Sequence, residues 1–170
     1  MSTDKAYDII QYKRSVMNSI INEDIIVKAI NGKDSNGVPY EPGDLYYTHI
    51  FPYAYIPGTI DVAGCYITLE MNIPQVSTAN HFFKDLLISV TVICHQDIMQ
   101  MCEGEPLGAT GATRADFVAA EVDKLLNNSV GIVGTKELER VSNIEGAIDP
   151  AHRCRIIRYR TSVPAKSLCD

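Results

Sequence analysis

Two stretches of strict alternation constrain this chain more than anything else in it. From Val62 to Ile73, the residues Cys65, Ile67, Leu69, Met71 and Ile73 share one face, and Tyr66, Thr68, Glu70 and Asn72 share the other. Strand side chains alternate with a period of two, so this reads as a strand with one buried face. Lys84 to His95 repeats the pattern. Leu86, Ile88, Val90, Val92 and Cys94 lie on one face, with Ser89 and Thr91 opposite and Leu87 and Ile93 as apolar exceptions. Pro74 to Asn80 reads as the turn region, and the two strands are expected to pair antiparallel. A sheet with one apolar face must be covered by a second layer.

Helices supply that layer. Ile9, Ile10, Val16, Met17, Ile20 and Ile21 recur at helical spacing, and Ile25, Ile26 and Ile30 continue the stripe after a break near Asn22. Asn31-Gly32 is a plausible stop, and Asn31 to Asp44 reads as a loop rich in Gly and Pro. Thr113 precedes a second helix, Arg114 to Asn127, with Val118, Val122, Leu125 and Leu126 on its apolar stripe and Phe117 beside it. Thr113 with Asp116 three residues on resembles a capping box. Lys136 to Ile144 and Arg153 to Val163 read as two further strands. The order helix, two strands, helix, two strands predicts an α+β fold: a two-layer sandwich with a mainly antiparallel four-stranded sheet, an N-terminal helix and a second central helix. The 170 residues form one domain on this reading, with 102–113 as an exposed insertion.

Composition narrows the function. Hydrophobic residues make up 46% and charged residues 21%, which suits a globular fold and argues against disorder. A net charge of -6 excludes a general nucleic-acid coat and a polybasic membrane anchor, while leaving room for a local basic patch. No apolar run approaches the roughly 20 residues of a membrane helix, and Met1 to Ile10 lacks the apolar core of a secretion signal. The cysteines number five and are scattered, which reads as reduced thiols in the cytoplasm.

Candidate chemistry is sparse. Cys94-His95 with Asp97 has the residue types of a thiolate, a base and an orienting carboxylate. Adjacent strand residues point to opposite faces, however, so the thiol and the ring do not meet; rapid alkylation of Cys94 would mark an activated thiolate and slow alkylation a buried one. Cys94, His95, Cys102, His152 and Cys154 lack the short paired spacings of a zinc site. The glycine-rich run from Gly104 to Thr113 lacks the Lys-Ser/Thr end of a phosphate loop. An anion at the following helix N-terminus near Arg114 is the functional reading, and a plain insertion ahead of a capped helix is the favoured one. Glu137 and Glu139 read as a solvated strand face. No cofactor, metal or enzymatic activity is expected.

Two features look like contact surfaces. Ile50 to Gly58 is apolar and aromatic yet broken by prolines, so it either packs on its own core or meets a partner. His152, Arg153, Arg155, Arg158 and Arg160 make a basic strip in an acidic chain. On an ideal strand Arg153 and Arg155 face one way and Arg158 and Arg160 the other, and a bulge near Ile156-Ile157 would align all four. The strip suits DNA phosphate or, as the acidic balance favours, carboxylates of a neighbouring subunit.

Several phrases together resemble a known family. "YDIIQYKRSVMNSIINEDIIVKAI", "DLYYTHIFPYAYIPGTI", "KDLLISVTVICHQDIM", "TRADFVAAEVDKLLNNS", "VGTKELERVSNI" and the closing "RIIRYRTSV" resemble, in the same order, the small neck and tail-completion proteins of tailed bacteriophages, the tail terminators. The likeness runs from about Tyr7 to Val163. It implies an antiparallel sheet flanked by helices and no enzymatic activity. It implies a structural virion protein at the head-proximal end of the tail, present in the host cytoplasm during assembly and independent of membranes. Copies would form a ring, usually six-fold, that caps the tail tube and ends its growth. The partners implied are the tube protein, the head-side connector and, in a contractile tail, the sheath; DNA passes through the lumen unread. The nearest alternative is a head-completion adaptor or stopper ring beside the portal, and the alternative from another class is a small cytosolic Cys-His enzyme. The joint from Cys102 to Thr113 is longer than the family pattern. Mapped onto this chain, the candidate interface residues are Phe51, Tyr53, Tyr55 and Ile56 in the apolar loop, with the tyrosines as anchors. His95, Gln96 and Asp97 end a strand and reach the following loop or a neighbour. Arg114 is expected to be free to reach a subunit while Asp116 caps the helix. Arg153, Arg155, Arg158 and Arg160 complete the set at a sheet edge.

Overall fold

The computed structural model describes residues 6–30, 38, 41–55, 63–76, 83–101, 112–134 and 136–164. The N-terminal stripe forms two helices, α1 (Ala6–Ile21) and α2 (Asp24–Ile30), broken at Asn22 as the pattern predicts. Strands β2 (Cys65–Val76) and β3 (Phe83–His95) pair antiparallel. The expected turn at Pro74 begins late, because β2 continues through Pro74 to Val76 across a register irregularity between Asn72 and Gln75. Helix α3 (Arg114–Leu126) follows, then β4 (Glu139–Ala147) and β5 (His152–Pro164).

The sheet departs from the four-stranded expectation. Ile50–Phe51 forms a short strand, β1, that pairs parallel to β2, giving a five-stranded mixed sheet in the order β1-β2-β3-β5-β4. Two residues inside a proline-rich segment carry no readable alternation, so this strand is invisible to a periodicity argument. The α+β class and the helix-on-sheet layering hold.

Helices α1, α2 and α3 bury their stripes on one sheet face, except for Ile10 of the expected α1 stripe, which is exposed. The core there joins Val16, Ile20, Ile26 and Ile30 to Ile67, Leu69, Ile88, Val90, Val92 and Ile157, with Val118, Val122 and Leu126 from α3. The helix α3 starts as its sequence dictates. Thr113 Oγ1 accepts from the Asp116 N–H at 3.1 Å and donates to Asp116 Oδ2 at 2.6 Å. A sharp reversal after α3 uses Gly131 (φ +87°) and Gly134 (φ +65°), a region where a Cβ is strained.

The registers place four rows of the opposite face, called the open face although Tyr66, Thr68, Thr91, Ile93 and Cys154 on it are buried. From one end, Tyr66, Ile93, Cys154 and Gly146 form a row; then Thr68, Thr91, Ile156 and Ile144; then Glu70, Ser89, Arg158 and Ser142; then Asn72, Leu87, Arg160 and Glu139. The apolar exception Ile93 is thereby explained, for its end of the open face has a cover of its own. Pairing of β3 with β5 runs unbroken from Phe83↔Pro164 to His95↔His152, so no bulge aligns the arginines.

Candidate interaction surface

The expected contact residues fall into three places. The first is an aromatic cap over the Tyr66 end of the open face. Phe51 and Tyr55 stack at 4.0 Å between centroids and 7° between planes. Both reach the Tyr66 ring, at 6.4 Å and 5.5 Å, and His49 stacks on Tyr66 at 5.6 Å. Phe51, Tyr66, Ile93 and Cys154 are buried together, with Tyr55 and Ile156 packed against them. Lys13 Nζ donates to the Pro52 carbonyl at 2.7 Å and ties this segment to α1. The proline-broken segment therefore packs back on its own sheet. Phe51 is spent in this cluster and cannot serve as a contact, Tyr55 is half-buried, and Tyr53 remains 47% exposed. Ile56 lies outside the described residues.

The second place is the end of β3. His95 Nδ1 accepts from the Asp97 N–H at 3.2 Å, capping a short 3-10 turn over Gln96–Ile98. The ring nitrogen a general base would use is occupied by backbone. The Gln96 N–H donates to the Ala151 carbonyl at 2.9 Å, and the His95 and His152 rings meet edge to face at 4.9 Å. Asp149 closes the β4–β5 turn by accepting from the Ala151 N–H, the His152 N–H and the His152 ring. Desolvation opposes its ionisation, but those hydrogen bonds hold the Asp149 carboxyl below its usual value. The side chains of Gln96 and Asp97 stay exposed.

Cys94 lies on the helix side, fully buried, with His95 on the open face. Its register partner is Cys65, also buried and free. The Cys65 thiol is pushed up by its hydrogen bond to Cys94 and by burial. The same hydrogen bond, with the Arg114 charge, draws the Cys94 thiol below its ordinary value against its burial, but a sulfur with no exposed surface is expected to alkylate slowly, and rapid alkylation would mark an activated nucleophile. Among the described residues no group of three His, Cys, Asp or Glu side chains is placed to hold a metal ion. Cys102 and the glycine-rich run through Gly111 lie outside the described residues.

The third place is β5 and the start of α3, and here one expectation is overturned. Arg114 is 2% exposed. Its Nε donates to the Ile98 carbonyl at 2.8 Å and its Nη1 to the Ala29 carbonyl at 2.7 Å. It locks the end of α2 to the turn after β3 and is not free to reach a subunit. Arg155 is also engaged, its Nε donating to Asp116 Oδ1 at 2.6 Å. Burial opposes ionisation of Asp116, yet the Thr113 hydroxyl and the Arg155 guanidinium hold its carboxyl below the usual range. Arg153, Arg158 and Arg160 are exposed, and none of them makes an ion pair among the described residues. Arg153 lies on the helix side of the sheet, and Arg158 and Arg160 lie on the open face.

Periodicity missed the exposed apolar residues of this side. Val141, Ile144 and Ile148 are 44%, 48% and 39% exposed. Val141 and Ile144 lie in β4 and Ile148 in the turn after it, and only the topology reveals β4 as an edge.

The YomW family model matches residues 22–161. The chain belongs to the YomW family. That family derives from Bacillus phage of the SPbeta-like prophage type, so the chain is a phage-related protein. No curated protein and no solved structure matches it. Among the described residues no helix is long and apolar enough to cross a membrane.

Proposed function

We propose that this YomW-family protein is a structural component of the phage neck, a tail terminator. Its copies form a ring, six-fold by family likeness, that caps the tail tube, ends tube growth and offers a surface to the head-side connector. The sheath joins the contact set if the tail contracts, and DNA crosses the lumen without being read.

The observation that carries this reading is where the tail-terminator-like phrases fall. "IFPY" builds β1 and the aromatic cap. "HQDIM" is the end of β3 and its capped turn. "TRAD" is the cap of α3, with Arg114 and Asp116 both committed to long-range bonds. The resembling phrases are therefore the joints of one architecture, in the order the family has them. Their agreement with a phage-derived family supports the reading.

Removing the gene from an inducible phage tests it. A terminator's absence leaves full heads and unattached tails of abnormal, variable length in the lysate, seen by negative-stain microscopy. Tails of normal length beside heads that leak DNA would instead assign the protein to the adaptor ring at the portal. Normal infectious particles would end the structural reading.

A further inference from the structure

Cys65 and Cys94 stand directly opposite each other where β2 pairs with β3, and both are buried free thiols on the helix side of the sheet. The His95 N–H donates to the Gly64 carbonyl at 3.0 Å, so Gly64 and His95 are a hydrogen-bonded pair of the ladder. Such pairs alternate with non-hydrogen-bonded ones, and Cys65 with Cys94 is therefore of the second kind. There the facing Cα atoms lie about 4.5 Å apart and the side chains approach most closely. A disulfide spans Cα separations of roughly 4.4–6.8 Å, so the register puts the two sulfurs within bonding reach. The thiols are already hydrogen-bonded to each other. Cys154, the other described cysteine, lies on the opposite face and cannot compete.

Charge and position suit the pair to oxidation. The Arg114 guanidinium, held by the Ala29 and Ile98 carbonyls, acts on both sulfurs and favours the thiolate. Cys94 also accepts the Cys65 hydrogen bond and is the sulfur that ionises first. Cys65 is the first residue of β2 and Cys94 the last but one of β3, so the pair closes the end of this hairpin remote from its loop. Strand ends open more readily than strand centres, which gives a small oxidant access to sulfurs that have no exposed surface in the closed fold. We propose that Cys65 and Cys94 are an oxidative modification site, joined by hydrogen peroxide into a reversible disulfide that staples β2 to β3. The Cys94 thiolate attacks one peroxide oxygen, the O–O bond breaks, and the hydroxide released takes up a proton as water, leaving Cys94 a sulfenic acid. The Cys65 sulfur then attacks the Cys94 sulfur. The S–S bond forms as the S–O bond breaks, and the departing hydroxide with the Cys65 proton makes a second water. The two thiols lose two electrons in all, and one peroxide becomes two waters. A reducing cytoplasm keeps the pair as thiols, and an oxidising exterior keeps it joined.

The bond forms or fails in the isolated chain, whatever the protein's place in a particle. The reduced full chain, treated with excess hydrogen peroxide, then unfolded and alkylated to block exchange, is read by peptide mapping with tandem mass spectrometry. A Cys65–Cys94 link is the main product, and dithiothreitol reverses it. The oxidised protein melts roughly 5–10 °C higher by circular dichroism, because the bond closes the whole β2–β3 hairpin. Cys94→Ala leaves Cys65 a thiol, whereas Cys65→Ala leaves Cys94 carrying added oxygen. If either variant fails to fold, the wild-type map decides alone. Thiols that both survive, even in urea too dilute to change the circular dichroism spectrum, overturn the site. So does Cys94 bonded to Cys102 in place of Cys65. A Cys65–Cys94 bond that leaves the melting temperature unchanged or lower overturns the staple. Oxygen added to Cys65 in the Cys94→Ala variant overturns the order of attack.

Discussion

Arg114→Met lowers the free energy of unfolding by about 3 kcal/mol or more, since two hydrogen bonds from a charged donor contribute roughly 1.5–3 kcal/mol each. The guanidinium donates to the carbonyls of Ala29 and Ile98, which belong to elements 85 and 16 residues distant in sequence. Methionine keeps the length of the side chain and removes the donors, so both carbonyls lose their charged partner inside the fold. Lysine does not restore the pair, because a single ammonium lacks the planar fork that reaches both oxygens. Urea denaturation followed by circular dichroism reads the loss. A change below about 1 kcal/mol would show that water or neighbouring N–H groups replace the arginine.

The second large effect lies at Tyr159. Its side chain is fully buried on the helix side of β5, and its hydroxyl donates to Asp123 Oδ1 on α3 at 3.1 Å. Asp123 is held in turn by Arg140 from β4. Tyr159→Ala empties an aromatic site and costs about 3–5 kcal/mol. Tyr159→Phe keeps the packing and costs about 1–3 kcal/mol, because the carboxylate loses a partner. Burial, and then the charge of Asp123, push the phenol well above its ordinary value of 10.0. An acid whose folded pKa is raised stabilises the fold fully below the unfolded pKa. The stability therefore falls as pH rises above about 10. Ultraviolet titration of the native protein would show a tyrosine signal that appears only on unfolding and that Tyr159→Phe reduces by one residue. A tyrosine that titrates normally in the folded protein would contradict this placement.

Much of the fold is legible in the residues. The alternation of β2 and β3 names the buried face residue by residue, and Cys65 through Met71 and Leu86 through Cys94 are buried as it requires. Thr113 and Asp116 announce the start of α3. What escapes the sequence is set by distant packing. An arginine one residue past a helix cap ordinarily faces water, and Arg114 is buried only because α2 lies against α3. Phe51 looks like an interface aromatic until the sheet supplies Tyr66 and Ile93 beneath it. Ile144 reads as a half-buried strand residue, and its exposure follows from the edge position of β4, which no local pattern encodes. Among the described residues the most exposed of the candidates are Tyr53, Gln96, Asp97, Arg153, Arg158 and Arg160, and the apolar Val141 and Ile144 of β4 join them.

The most direct test of the account is the position of the protein in purified particles, read by labelling it and imaging by electron microscopy. The account predicts ring-shaped label at the head-proximal end of the tail. A ring against the portal would move the protein to the adaptor class, and particles without it would contradict a structural role in the virion.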